Sequence, residues 1–346
     1  MDLDYISPAE KKRKKINFIV VTIFILLTVF TFVISMNTGY IRLTPVEVFQ
    51  TLFGNGTAKQ ELILFNIRLP RIIIGMLVGA ALAVSGCILQ GVTRNALADP
   101  GILGINAGAG LVVMLFVAYM PTQNFNMIML LPVFSCLGAI LTAAIIFVLS
   151  YKKETGFSPK KLLLTGIAIA SGISAVTIIL TLKLTPEQYQ FVAVWMAGGI
   201  WGSSWKFVLA LLPFLLILIP LAWRKSHALN ILNLGDPLAI GLGATIKKDR
   251  FVLLAVAVLL AGSAVSVSGG IGFVGLIAPH LVRRLVGPKH QTLLPVTALV
   301  GAFLVLVADT IGRWIIQPSE IPAGIVVAVI GAPYFLYLLS RTKVSS

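Results

Sequence analysis

The sequence predicts an all-α polytopic membrane protein of about ten transmembrane helices with an inverted internal repeat. Three observations lead there. First, 58% of the 346 residues are hydrophobic and 11% are charged, whereas a soluble domain carries roughly 45–50% apolar and 25% charged residues. Such a chain is solvated mostly by lipid. Second, the basic residues fall between apolar runs, with a strong bias to one side. Third, the octamer GAALAVSG (Gly79–Gly86) returns as GSAVSVSG (Gly262–Gly269).

A bilayer core takes about 20 apolar residues per helix. The first run, 16–36, follows the basic stretch KKRKK at 11–15. It is too long for a signal-peptide core and no A-x-A site follows, so it reads as a retained span. Further spans are expected at 72–93, 102–120, 127–150, 162–184, 206–223, 251–270, 273–286, 293–312 and 323–340. Phe251 to Val286 is nearly uninterrupted and too long for one helix. Gly269, Gly270 and Gly272 divide it into a full span and a short return, and adjacent broken helices often mark a pathway.

Ten spans place both termini on one side. That side takes twenty of the 27 Lys and Arg residues and the other takes seven, so both ends are expected in the cytoplasm. Residues 1–15 are then a basic cytoplasmic segment, 16–340 one transmembrane domain with a cytoplasmic loop at 224–250, and 341–346 a cytoplasmic tail. The net charge of +15 follows from this bias and does not indicate a nucleic-acid partner. Arg68 and Arg71 break the trend. They flank Pro70 at the outer mouth of the second span and require a local reason.

In this topology the first octamer runs inward and the second outward, the pattern of an inverted repeat. Small apolar octamers also recur by chance, and small residues allow close helix packing in any case, as Gly75-x-x-x-Gly79 does. Cys87 and Cys136 lie in apolar runs without metal-ligand spacing and read as small buried hydrophobes. No G-x-x-x-x-G-K-[ST], H-E-x-x-H or G-x-S-x-G motif occurs, so no nucleotide hydrolysis is expected of this chain. Ionisable groups within the spans are scarce. Asp309 and Arg313, four residues apart, can pair on one helix face. Energy for transport would then come from a partner.

Eight stretches together resemble the FecCD-type permeases, the membrane subunits of bacterial ABC importers for iron-siderophores, haem and cobalamin. They are IRLPR (Ile67–Arg71), GAALAVSGCILQ (Gly79–Gln90), RNALADPGILGINAGAG (Arg94–Gly110), LLLTGIAIA (Leu162–Ala170), VWMAGGIWG (Val194–Gly202), NLGDPLAIGLG (Asn233–Gly243), GGIGFVGLIAPHLVRRLVGPKH (Gly269–His290) and IPAGIVVAVIGAPYFLYLL (Ile321–Leu339). The resemblance implies a ten-helix fold like that of the cobalamin importer permease, in the bacterial cytoplasmic membrane. It implies a second permease subunit, identical or related, two cytoplasmic ATPase subunits, and an extracytoplasmic binding protein that delivers a ferric siderophore. Haem and cobalamin are the alternative substrates. No resident cofactor or metal is implied, because ATP is spent by the ATPase and iron travels inside its chelator. A stand-alone secondary transporter or channel is the competing class.

The resemblance also implies site residues. Arg68, Arg71 and Arg313 would receive acidic side chains of the binding protein, a task suited to arginine's planar fork. Snorkelling or local pairing is the alternative, and Arg313 has Asp309 at hand. Leu234, Gly235, Asp236, Ala239, Leu242 and Gly243 would belong to a pair of short helices that couples to the ATPase. There Gly235 supplies the turn and Asp236 caps the second helix. Asn95, Ala96 and Leu97, with Ser158 and Pro159, would form the cytoplasmic gate. Asp-Pro-Gly at 99–101 is also plain turn chemistry.

Overall fold

The computed structural model describes residues 8–39, 41, 43–120, 130–152, 156–200, 203–243 and 245–341. The terminal residues 1–7 and 342–346 of the expected cytoplasmic segments lie outside this set. Each expected span contains a helix: α1 (Pro8–Asn37), α4 (Leu69–Thr93), α5 (Ile105–Tyr119), α6 (Leu131–Ser150), α7 (Pro159–Thr181), α9 (Trp205–Arg224), α12 (Ile246–Ser268), α13 (Val274–Val286), α14 (His290–Ile315) and α15 (Ala323–Arg341). Between them lie α2 (Pro45–Leu52), α3 (Ala58–Glu61), α8 (Pro186–Met196), α10 (Ser226–Asn233) and α11 (Asp236–Gly241). Among the described residues, seven helical stretches are long and apolar enough to cross a membrane. The other three expected spans, α5, α13 and α15, are shorter, and α13, with 13 residues, rises only about 20 Å.

The core is built around α4, in which every residue from Ala81 to Thr93 is buried. Glycine makes this possible by letting backbones touch. A Cβ on Gly86 would overlap the carbonyl of Gly275 on α13, and one on Gly79 would overlap that of Gly301 on α14. The octamer copies occupy matching places. Gly79 on α4 meets α14, while Gly262 on α12 meets Ala139 on α6. Helices α4 and α12 lie side by side, Ser85 Oγ donating to the Ala257 carbonyl at 2.7 Å. They run in opposite directions, because the C-terminal end of α4 and the N-terminal end of α12 both reach Asp236. This is the arrangement an inverted repeat requires.

The expected break after α12 is present. Ser268 ends the helix and Gly269 takes φ +68. A side chain there would overlap the Trp195 carbonyl, so left-handed backbone and close approach both demand glycine. Helices α1 and α7 lie at the periphery, with much of their apolar surface exposed. Beside α7 is a cleft of about 440 Å³ lined by Ile102, Ile167, Ala170, Ser171, Ser174, Ala175 and Ile178. Cys87 is buried, Cys136 partly so, and both are free thiols.

Several short elements were not foreseen. Helices α2, α3 and α8 each begin with a capping box, at Thr44–Glu47, Thr57–Gln60 and Thr185–Gln188. Between α3 and α4, Leu62–Arg68 forms a π-helical segment in which Leu69 N–H reaches the Leu64 carbonyl. Before α7, Tyr151–Lys152 pairs antiparallel with Gly156–Phe157.

Candidate functional site

At the end of the bundle expected to face outward, Arg71 and Arg313 converge on Asp309, and Arg68 lies near Arg313. Arg71 donates from Nε and Nη2 to Asp309 Oδ1 at 3.0 and 2.8 Å. Arg313 Nε donates to Oδ2 of the same carboxylate at 3.0 Å. One buried acid thus joins two arginines on different helices, as a planar fork allows. Arg71 Nη1 also donates to Glu320 Oε2 at 2.7 Å, and the Glu320 side chain is 41% exposed.

The other guanidinium donors point inward. Arg68, 5% exposed, donates to the carbonyls of Met36 and Ile41. Arg313, 4% exposed, donates to the Thr38 carbonyl at 2.8 Å and to Ser35 Oγ. Both therefore hold the chain that leaves α1, the local pairing that competed with docking in the sequence reading. Of the three, Arg71 is the one beside an exposed acid. The sequence reading missed Glu320 and the pairing of Arg71 with Asp309, which spans 238 positions and leaves no local pattern.

At the opposite end of the bundle, the loop after α9 is closed at its base. Lys225 Nζ donates to Asp249 Oδ1 at 2.8 Å, and Thr245 Oγ1 to Oδ2 at 3.1 Å. The two short helices appear as expected, divided at Gly235, where φ is +98. Asp236 does not cap the second helix. Gly235 occupies the N-cap position, and no side chain caps α11. The Asp236 carboxylate instead accepts from Arg250 Nη2 at 2.6 Å and Nη1 at 3.1 Å, and pairs with Arg94 at 3.3 Å. The hydrogen bonds from Arg250 hold its carboxyl below the ordinary carboxylate range.

Leu234 and Leu242 are exposed, as are Leu238 and Ile240 at 61% and 67%, which the sequence reading did not single out. Their positions around Gly235 and Pro237 were the available signal. Ala239 is fully buried and faces the protein rather than an outside partner. Gly243 takes φ +78 beyond α11. The segment thus exposes four large apolar side chains within nine residues, a composition common at interaction sites.

Of the residues expected to form a gate, Asn95–Leu97 follow Arg94, which pairs with Asp236. Asn95 Oδ1 accepts from Leu97 N at 3.0 Å, an Asx-type turn, and Ala96 is exposed. Ser158 precedes α7 without a side-chain cap and Pro159 starts the helix. Asp99 follows the first gate segment and accepts from Gly101 N at 2.8 Å. Burial pushes its carboxyl up to about 6. Gly270, Gly272 and Gly275 fall at G-x-G-x-x-G spacing, but they follow an apolar helix rather than a strand and do not make a dinucleotide site. Among the described residues no group of three or more His, Cys, Asp or Glu side chains could hold a metal.

Comparison with known proteins matches residues 26–341 to the FecCD transport family. The chain is 49% identical over 329 residues to the Bacillus subtilis iron(3+)-hydroxamate import system permease protein FhuG, covering 94% of this chain and 97% of that one. It is 39% identical over 315 residues to the Yersinia pestis hemin transport system permease protein HmuU, covering 89% and 91%. Among solved structures it superposes on a metal-chelate type ABC transporter in an inward-facing conformation, with TM-score 0.79, 33% identity, and 95% and 99% of the two chains covered. By fold, by repeat and by these matches over nearly its whole length, the chain belongs to the FecCD transport family.

Proposed function

We propose that the chain is the membrane-embedded permease subunit of an ATP-driven importer for ferric siderophores, with hydroxamate chelates as the first class to test. The observation that carries the substrate class is the 49% identity, over 94% of the chain, to an iron(3+)-hydroxamate permease. Haem is the second reading, supported by the hemin permease at 39%. The chain spans the cytoplasmic membrane with both termini inside, as the charge bias favours. It performs no catalysis and carries no cofactor of its own, a separate pair of ATPase subunits spending the ATP.

The exposed apolar surface of Leu234, Leu238, Ile240 and Leu242 supports docking of the ATPase at the coupling segment. An extracytoplasmic binding protein delivers the chelate at the outer rim. There an incoming carboxylate replaces Glu320 on Arg71, while Arg68 and Arg313 hold the rim in shape. Rim charges of this kind set docking register and on-rate. A second permease subunit, identical or related, seats against the open face of α7 and completes the path.

The test is uptake of radio-iron from a panel of ferric siderophores and haem, in cells lacking this chain and in cells restored with wild type or Arg71→Glu. Loss of one chelate class, restored by wild type but not by the expressed variant, is expected. Unchanged iron-siderophore uptake with lost haem uptake would move the assignment to haem. Normal uptake through Arg71→Glu would remove the docking role.

A further inference from the structure

Asp236 is the meeting point of α11, the end of α4 and the start of α12. Arg94, the residue before Asn95, reaches it from the end of α4 at 3.3 Å. Arg250, with its side chain 3% exposed, reaches it from α12 through both terminal nitrogens. Arg250 Nη1 also lies 3.4 Å from the carbonyl of Phe157, the residue before Ser158. The neighbouring Phe251 ring stacks on Phe157 with centroids 6.3 Å apart and planes at 20°. The first gate segment is thus joined to α11 through Arg94, and the second through Arg250 and Phe251.

Two backbone features maintain the junction. Arg94 takes φ +54, a left-handed conformation uncommon outside glycine. Such a conformation persists where surrounding contacts hold it, and the contact here is Asp236. Gly235 leaves room for the fork, since a Cβ there would lie 3.1 Å from Arg94 Nη1. An exposed Arg–Asp pair adds little stability on its own. A fork-to-carboxylate contact on a buried arginine does fix direction, which a transmitting element needs.

We infer that Asp236, gripped by Arg94 and Arg250, is the positioning residue through which movement of the coupling segment reaches both cytoplasmic gate segments. This rests on the proposed coupling role of the 224–250 loop. Displacing α11 displaces the carboxylate, and the carboxylate carries Arg94–Asn95 and Arg250–Phe157 with it. Residues Asn95–Leu97 and Ser158–Pro159 then move together.

The test uses the complete importer, purified through a tag on this chain and reconstituted in proteoliposomes with its loaded binding protein. Substrate moved per ATP hydrolysed is measured for wild type, Asp236→Asn, Arg94→Gly and the double variant. Arg94→Gly relieves the left-handed backbone while deleting the link, so it keeps the fold. For Arg94→Gly the expected result is assembly and ATP hydrolysis close to wild type with substrate moved per ATP lowered about tenfold; for Asp236→Asn, which lies on the docking segment itself, the same fall in that ratio is expected at whatever hydrolysis rate the variant retains. The double variant should be no worse than either single one. An unchanged ratio in assembled Arg94→Gly or Asp236→Asn complexes overturns the inference, as does a parallel fall in hydrolysis and transport. If Asp236→Asn fails to assemble, Arg94→Gly decides. A wild-type complex without ATP-driven uptake would overturn the importer reading itself, and this inference with it.

Discussion

Asp309→Asn removes the buried carboxylate that Arg71 and Arg313 share. The wild-type carboxylate is 3% exposed and accepts three N–H bonds from the two guanidinium groups, at 2.8, 3.0 and 3.0 Å. An amide keeps a single acceptor oxygen and turns an NH₂ group towards a cation. Breaking a buried ion pair from one side costs about 3–5 kcal/mol. Arg71 retains Glu320 and Arg313 retains the Thr38 carbonyl, so the loss falls at the low end, about 3 kcal/mol. At about 2 °C per kcal/mol for a large domain, the melting temperature in detergent should drop by about 6 °C. Adding Arg313→Gln to Asp309→Asn should recover part of that loss, because the uncompensated cation goes too. Glu320→Gln is the control, an exposed pair that should cost about 1 kcal/mol or less. If Asp309→Asn melts within about 1 °C of wild type, the buried cluster does not hold this end of the bundle together and the reasoning fails.

Three further outcomes follow from the same geometry. Gly269→Ala places a side chain at φ +68 against the Trp195 carbonyl, which should cost about 2–4 kcal/mol from left-handed backbone and overpacking, read as lower melting temperature and yield. Asp236 has a lowered carboxyl pKa in the fold, so its contribution is present above the ordinary carboxylate value and is lost as pH falls through the folded one. The stability difference between wild type and Asp236→Asn should therefore hold at pH 5–7 and close in strong acid, in melts across pH. Asp99 is the opposite case. Its carboxyl is raised to about 6, so it favours the fold below pH 4 and progressively less as pH rises to 6. Asp99→Asn, which keeps an acceptor for Gly101 N–H, should raise the melting temperature at pH 7 and leave it unchanged near pH 4.

The spans were legible because lipid imposes a long, one-dimensional demand on each segment, and glycine marks where it stops. Gly269 ended α12 where the sequence placed the break, and Gly235 split the 224–250 loop into two short helices as expected. The short outer helices carried equally readable signals, since TPVE, TAKQ and TPEQ are capping boxes at Thr44, Thr57 and Thr185. A search for runs of twenty apolar residues passes over them. The ionic sites were legible in composition but not in pairing. Asp309 and Arg313 are neighbours on one helix and could be matched. Arg71 with Asp309, and Arg250 with Asp236, meet through the packing of helices distant in sequence. Asp236 showed the limit of local rules: a residue well placed to cap a helix gave its carboxylate to two arginines, whose charge outcompetes a neutral N–H.

The π-helical segment at Leu62–Arg68 separates the angular phase of α3 from that of α4. Hydrogen bonds that skip one residue further than in an α-helix absorb an extra residue without breaking the rod. Everything before Arg68 is therefore rotated relative to everything after it, and Arg68 and Arg71 turn to different partners although they stand three positions apart. The segment works as a coupling sleeve between two independently indexed shafts. A one-residue deletion upstream should therefore be taken up in this turn, converting it to α-helix, while the glycine-tight core of α4 keeps its register.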